Sequence, residues 1–192
     1  MTAGGGGPVP MKLQEFLFRE ALAEIGISGG RVDIDHEKGI CRHDSTGPVP
    51  VTFPMRIVRR VAMLSKAKHC DFAFMGVITP HRQWILKYPN VAASRYGRNP
   101  QSKYIFHEDY YRRLCAARFG ISPTGECPWS YRFLESVMCH AIPVLSDTET
   151  DIYADAFFHV RDSQQKRWDA AICERNYRVL IERHTLARFG TP

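Results

Sequence analysis

The chain has 192 residues, 44% hydrophobic and 24% charged, with 26 Lys+Arg against 20 Asp+Glu for a formal charge of +6. That is room for about one domain with a real core, and it excludes collagen, a coiled coil and a wholly disordered chain. It contains no run of about 18 apolar residues, so no transmembrane helix is expected.

Residues 1–10 form a Gly/Pro tract, read as a flexible tail that lacks the basic start and apolar run of a signal peptide. From Met11 to Ile25, Leu13, Phe16, Leu17, Phe18, Leu22 and Ile25 recur at helical spacing, and Gly26 offers a stop. Residues 26–54 read as loop with short strands, Val32 and Ile34 alternating with Asp33 and Asp35. A helix is expected over Met55–Lys68, which holds the densest basic stretch, Arg56, Arg59, Arg60, Lys66 and Lys68.

Asp71–Gly76 is an apolar run ending in glycine, the form of a buried strand feeding a turn. Thr79-Pro80 opens a helix to about Tyr88, Val91–Ser94 is a strand, and Glu108–Arg118 is a helix. Then come a strand (Ala117–Ser122), a loop (Pro123–Trp129), a helix (Ser130–His140) and a strand (Ala141–Ser146). Phe157–Val160 gives a last strand and Asp162–Phe189 a long terminal helix, with Trp168, Ile172 and Leu180 in its core. Strands alternating with helices predict an α/β fold with a parallel sheet. The organisation is a tail (1–10), a helical and loop extension (11–69) and an α/β domain (70–192).

The six cysteines are widely spaced and form no CxxC pair, so reduced thiols in a cytoplasmic protein are expected and a zinc cluster is not. Asp33-Ile-Asp35-His36, thickened by Cys41, His43 and Asp44, invites a divalent ion. Hard ions want oxygen ligands, however, and an exposed strand face explains the two aspartates equally well, so no metal is assigned. The positive charge is scattered, and no basic-aromatic motif points to nucleic acid.

The informative segment runs from Ile121 to Leu145. It joins a strand end, a Gly/Pro loop and a helix whose first turn holds Ser130, Tyr131 and Arg132. Such a helix start offers N–H groups and a positive dipole end to phosphate, and Arg132 adds a cation suited to a diphosphate. Glu135, one turn on, is spaced to accept hydrogen bonds from ribose hydroxyls. Trp129 beside the loop is read two ways, as a stacking surface for a base or sugar or as an apolar plug on the helix.

At Pro123-x-Gly125, Ser130-Tyr131-Arg132-Phe133-Leu134-Glu135 and Ile142-Pro143-Val144 the chain resembles the exostosin-like glycosyltransferases. Phe74-Met-Gly76 followed by Arg82, and Tyr110–Phe119, look like the flanking pieces of that family, so the resemblance covers about residues 70–160. It implies a single Rossmann-like domain equivalent to the C-terminal, donor-binding half of a GT-B glycosyltransferase, extended by an N-terminal helix. The implied reaction is sugar transfer from a nucleotide-sugar donor, a UDP-sugar, to a hydroxyl of a glycan or other acceptor, with no metal or cofactor. By analogy Arg82, Ser130, Tyr131 and Arg132 would take the diphosphate and Glu135 the ribose, with Gly76, Gly125 and Trp129 also substrate-binding.

Retaining relatives carry two glutamates eight positions apart, but Cys127 stands eight before Glu135, so inversion is expected. Glu126 is the first candidate for the base, ahead of His81 and Asp109. His140 stands where the family has glycine, either capping the helix or pointing into the donor site. About 70 residues precede the resemblance, against roughly 150 or more for an acceptor lobe. One lobe acting alone, a lobe supplied by a partner chain or second copy, or a non-catalytic nucleotide-sugar-binding subunit are therefore the readings carried forward.

Overall fold

The structure is a computed structural model that describes residues 13–93, 106–125 and 127–189. An N-terminal layer comes first. Helix α1 (Leu13–Glu24) buries Leu17, Phe18, Ala21 and Leu22, spaced along one helical stripe. That stripe packs on an antiparallel meander of β1 (Val32–Asp35), β2 (Ile40–His43) and β3 (Gly47–Pro50). The short strands expected within residues 26–54 pair in full, Val32 opposite His43 and Ile40 opposite Pro50. The chain returns through α2 (Met55–Ala62), which buries Ile57, Val58 and Val61. Glu24 caps α2 by accepting from Met55 N at 2.6 Å and Arg56 N at 2.8 Å.

The second sheet is parallel throughout: β4 (Cys70–Gly76), β5 (Val91–Ala93), β6 (Ala117–Ile121), β7 (Ile142–Leu145) and β8 (Val160–Arg161), in the order β5-β4-β6-β7-β8. Phe72, Phe74, Phe119, Ile121, Ile142 and Val144 meet Trp84 and Ile85 of a 3-10 helix, Pro80–Lys87, on one face. Helices α3 (Glu108–Ala116) and α4 (Tyr131–Met138) cover the other, where Gly120 faces Leu114 and Ser136. Helix α5 (Ala170–Arg183) packs against α4. From β4 the chain goes out to β5 and then crosses back past β4 to β6. This reversal puts the topological switch point at the carboxyl ends of β4 and β6, and the fold is α/β and Rossmann-like.

Several elements differ from expectation. The helix expected over Met55–Lys68 stops at Ala62, because Lys66 and Lys68 turn inward to other carbonyls. The segment after Thr79 is a 3-10 helix, and Phe157–Phe158 is not strand: Phe158 N and O pair with the Asn176 amide at 2.9 and 2.8 Å. The terminal helix begins at Ala170 rather than Asp162, because Asp169 caps Ala171 N (2.7 Å) and Ile172 N (3.3 Å). Trp168 and Ile172 join one cluster and Leu180 another. All six cysteines are free thiols, and among the described residues no helix is long and apolar enough to cross a membrane.

Candidate functional site

Gly76 ends β4 and Ile121 ends the adjacent β6, so the loops that follow share the sheet's carboxyl edge. Arg82 ties them together: its Nε and Nη2 donate to Thr124 O at 3.2 and 2.7 Å, and Nη1 to Val77 O at 3.3 Å. Gly125 is exposed beside it, 3.7 Å from Arg82 Nη2 to the place of a Cβ.

Helix α4 brings Arg132 to the same edge. Its Nη2 donates to Met75 O at 3.2 Å, and the guanidinium lies 4.6 Å over the Phe74 ring, a cation–π contact. The helix sits low on the sheet because Gly120 has no Cβ where Ser136 approaches. Ser136 Oγ donates to Arg132 O at 2.8 Å and meets Ser122 Oγ at 3.1 Å, fixing the loop after β6 to the first turn of α4. Ser130 caps α4, its Oγ accepting from Arg132 N at 3.2 Å, while its own N donates to Asp151 Oδ2 at 2.9 Å. Asp151 also accepts from Tyr153 N at 2.9 Å. Burial pushes its pKa up to about 6 despite these two N–H groups.

A recess opens between β4, α3 and α4, lined by Phe74, Met75, Tyr110, Arg113, Leu114 and Arg132. Arg113 and Arg132 border this recess, which is mostly apolar inside and has room for about one water molecule, so an anion would meet the two arginines at its rim. Arg113 was not among the expected residues; the signal was its position three after Tyr110, which puts both on one helix face. Behind the recess wall, Tyr110 OH donates to Glu135 Oε2 at 2.6 Å and Tyr111 OH to Oε1 at 3.3 Å.

Of the expected residues, the structure brings Gly76, Arg82, Gly125, Ser130 and Arg132 to the strand ends. Trp129, Tyr131 and Glu135 it turns inward. Trp129 is 3% exposed, its Nε1 donating to His36 O at 2.7 Å under the N-terminal layer. Its ring meets Tyr131 edge-on at 5.2 Å, and Tyr131 meets Phe53 at 5.3 Å. Trp129 is thus the plug and not an open stacking surface, because the β1–β3 layer covers it. Glu135 is 2% exposed and engaged by two tyrosine hydroxyls, so a direct reach to a ribose is corrected to a supporting position behind Tyr110.

Glu126 lies outside the described residues. His81 is exposed beside Thr79 Oγ1 at 3.3 Å, and Asp109 is exposed in the first turn of α3. His140 takes φ 54° beyond α4, stacked on Tyr177 at 4.8 Å and 4.0 Å from Glu174, at the helix end opposite Arg132. In the meander, Arg42 pairs with Asp33 at 3.4 Å and with Asp35 at 3.9 Å, and Lys38 stands 3.8 Å from Asp35.

The strand order and the cationic edge define a Rossmann-like α/β protein with a candidate anion site at its switch point. No family model matches the chain, and no curated protein does.

Proposed function

We propose that this chain is the donor-binding half of an exostosin-like, GT-B-type glycosyltransferase. In this reading it seats the diphosphate of a nucleotide sugar, a UDP-sugar, against Arg132 at the carboxyl ends of β4 and β6, on the rim of the small recess rather than inside it. The sugar passes to a hydroxyl of a glycan or similar acceptor with inversion and without a metal. The observation that supports the reading best is Arg132, held across Gly76 at the switch point with Arg113 on the same recess. Guanidinium groups there would meet the charge that develops on the departing diphosphate. Arg82 keeps the two loops in register, and Glu135 positions Tyr110 rather than touching the ligand. Glu126 is kept as the candidate base.

Calorimetry with UDP tests the binding step. Arg132→Ala is expected to weaken affinity by about tenfold or more, the worth of one charge-assisted contact, and Glu135→Ala to weaken it by loosening Tyr110. Unchanged affinity in both variants removes the site assignment.

One observation favours a second reading, a subunit that binds nucleotide sugar and completes a separate transferase: among the described residues, no carboxylate or imidazole lines the recess. Incubating the protein alone with a panel of nucleotide sugars separates the two. Release of the nucleoside diphosphate supports the transferase; binding without release supports the subunit.

A further inference from the structure

At the opposite end of α3 and α4 from Arg132 lies a cluster that the proposed function does not use. Cys115 sits in the last turn of α3 and Cys139 directly follows α4; both are buried, at 0% exposure. Lys68 Nζ donates to Cys115 O at 2.9 Å and Cys139 O at 3.1 Å, so one ammonium draws both backbones together. Half-buried Lys66 places its Nζ 3.4 Å from Cys115 Sγ, and it donates to Leu64 O at 3.4 Å and to Val61 O. Cys139 Sγ lies 3.9 Å from Tyr111 O, the carbonyl one helical turn before Cys115, so both thiols stand against the last turn of α3.

Capping of two helix C-termini accounts for Lys68. It does not account for an ammonium on the Cys115 sulfur, nor for a second buried thiol brought to the same turn of α3. The neighbouring Cys139 thiol, aided by both lysines, holds the Cys115 thiol below its ordinary range against burial. Burial and the neighbouring sulfur push Cys139 the other way. The Lys66 ammonium on its sulfur marks Cys115 as the attacking thiol and leaves Cys139 as the resolving one.

We propose that Cys115 and Cys139 form a modification site that a hydroperoxide oxidises to an intramolecular disulfide. The Cys115 thiolate attacks one peroxide oxygen and breaks the O–O bond; the released hydroxide takes a proton, leaving water and a sulfenic acid. The Cys139 sulfur then attacks that sulfenic sulfur, its proton leaving with the hydroxyl as a second water. Two thiols lose two electrons, and one peroxide becomes two waters. The burial of both sulfurs selects a water-sized oxidant, and the bond would staple α3 to α4. This assignment is independent of the glycosyltransferase reading.

The test treats the full chain with hydrogen peroxide, alkylates the remaining thiols and maps peptides without reduction. A Cys115–Cys139 cross-linked peptide that dithiothreitol reverses is expected, while oxidised glutathione leaves both thiols alkylatable. Lys66→Met should slow cross-linking about tenfold, through loss of the thiolate-stabilising charge. Cys139→Ala should stop the reaction at a sulfenic acid on Cys115, trapped by dimedone added as the chain is unfolded in urea. Should that variant not fold, wild-type mapping and the Lys66→Met rate still decide. Two thiols that stay reduced in peroxide, a cross-link through another cysteine, or a glutathione adduct on Cys115 would overturn the proposal.

Discussion

At Gly76 a Cβ would stand 2.5 Å from Arg132 Nη2 and 3.2 Å from the Phe74 ring. The Arg132 guanidinium can therefore lie across the strand end, donating to Met75 O, only while position 76 carries no side chain. The obstacle is the far end of a flexible side chain, so Gly76→Ala should displace the guanidinium at little cost to the fold. The expected outcome is a loss of UDP affinity of about tenfold, with unfolding free energy changed by no more than about 1 kcal/mol. Calorimetry and urea unfolding read the two quantities separately. Undiminished UDP affinity would show that the lie of Arg132 across Gly76 does not matter to the ligand. Arg82 differs in kind: among the described residues it donates three bonds, all to carbonyls of its own chain, so its removal should loosen loops.

Helix α4 is the element on which the site depends, and its seat on β6 is set by two small residues. A Cβ on Gly120 would overlap Ser136 Oγ and come within 2.6 Å of Ser136 Cβ, which the helix backbone holds in place. Gly120→Ala should cost about 2–3 kcal/mol by overpacking, measured in urea. Adding Ser136→Gly should restore part of that loss, less about 1 kcal/mol for glycine within a helix. Strict additivity of the two changes would mean that the positions do not press on one another. How much of this was legible in the sequence varied by element. Buried strands such as Ile142–Leu145 announce themselves by apolar runs between a helix and a turn, and Ser130 reads as a cap because its partner, Arg132 N, is two residues away. The start of α5 did not, because Asp162 and Asp169 are equal as candidate caps by type. Asp162 is taken by Tyr88 and Lys87, partners more than seventy residues distant, which leaves Asp169 to cap. Trp129 was ambiguous for the same reason: the layer that covers it is made of short, half-polar strands whose pairing is not local.

On the scale of the whole molecule, the N-terminal layer is joined to the α/β domain by polar ties as well as apolar contact. Tyr153 OH donates to Gly39 O at 2.5 Å, and His184 Nδ1 donates to Val51 O at 2.7 Å while its carbonyl accepts from Phe53 N at 2.8 Å. Two of the buried groups near these ties titrate in opposite senses. Burial lowers His184 to about 4, so it stays neutral in the fold, and unfolding lets it take up a proton below about pH 6.5. Its contribution is present above that pH and is lost as the pH falls through 4, about 3 kcal/mol in all. Asp151, raised by burial to about 6, does the reverse. Between its unfolded value of 3.8 and about 6 the folded state binds more proton, so stability increases by about 3 kcal/mol as the medium is acidified. Asp35 and Asp147, held below the ordinary carboxylate range by hydrogen bonds from Lys38 N and from Ser163, act mainly below about pH 4. The opposed shifts of His184 and Asp151 should therefore largely offset each other from pH 6.5 to 4, leaving the wild-type chain the smaller loss from His140, which burial also lowers. Asp151→Asn should uncover the His184 slope and lose about 3 kcal/mol on acidification across this window, whereas His184→Gln should gain about as much. Urea unfolding at pH 4, 5, 6 and 7 reads the slopes even if either substitution lowers stability at every pH. Parallel curves for all three proteins would show that neither group's protonation is coupled to folding, and with it that the two burials do not hold in solution.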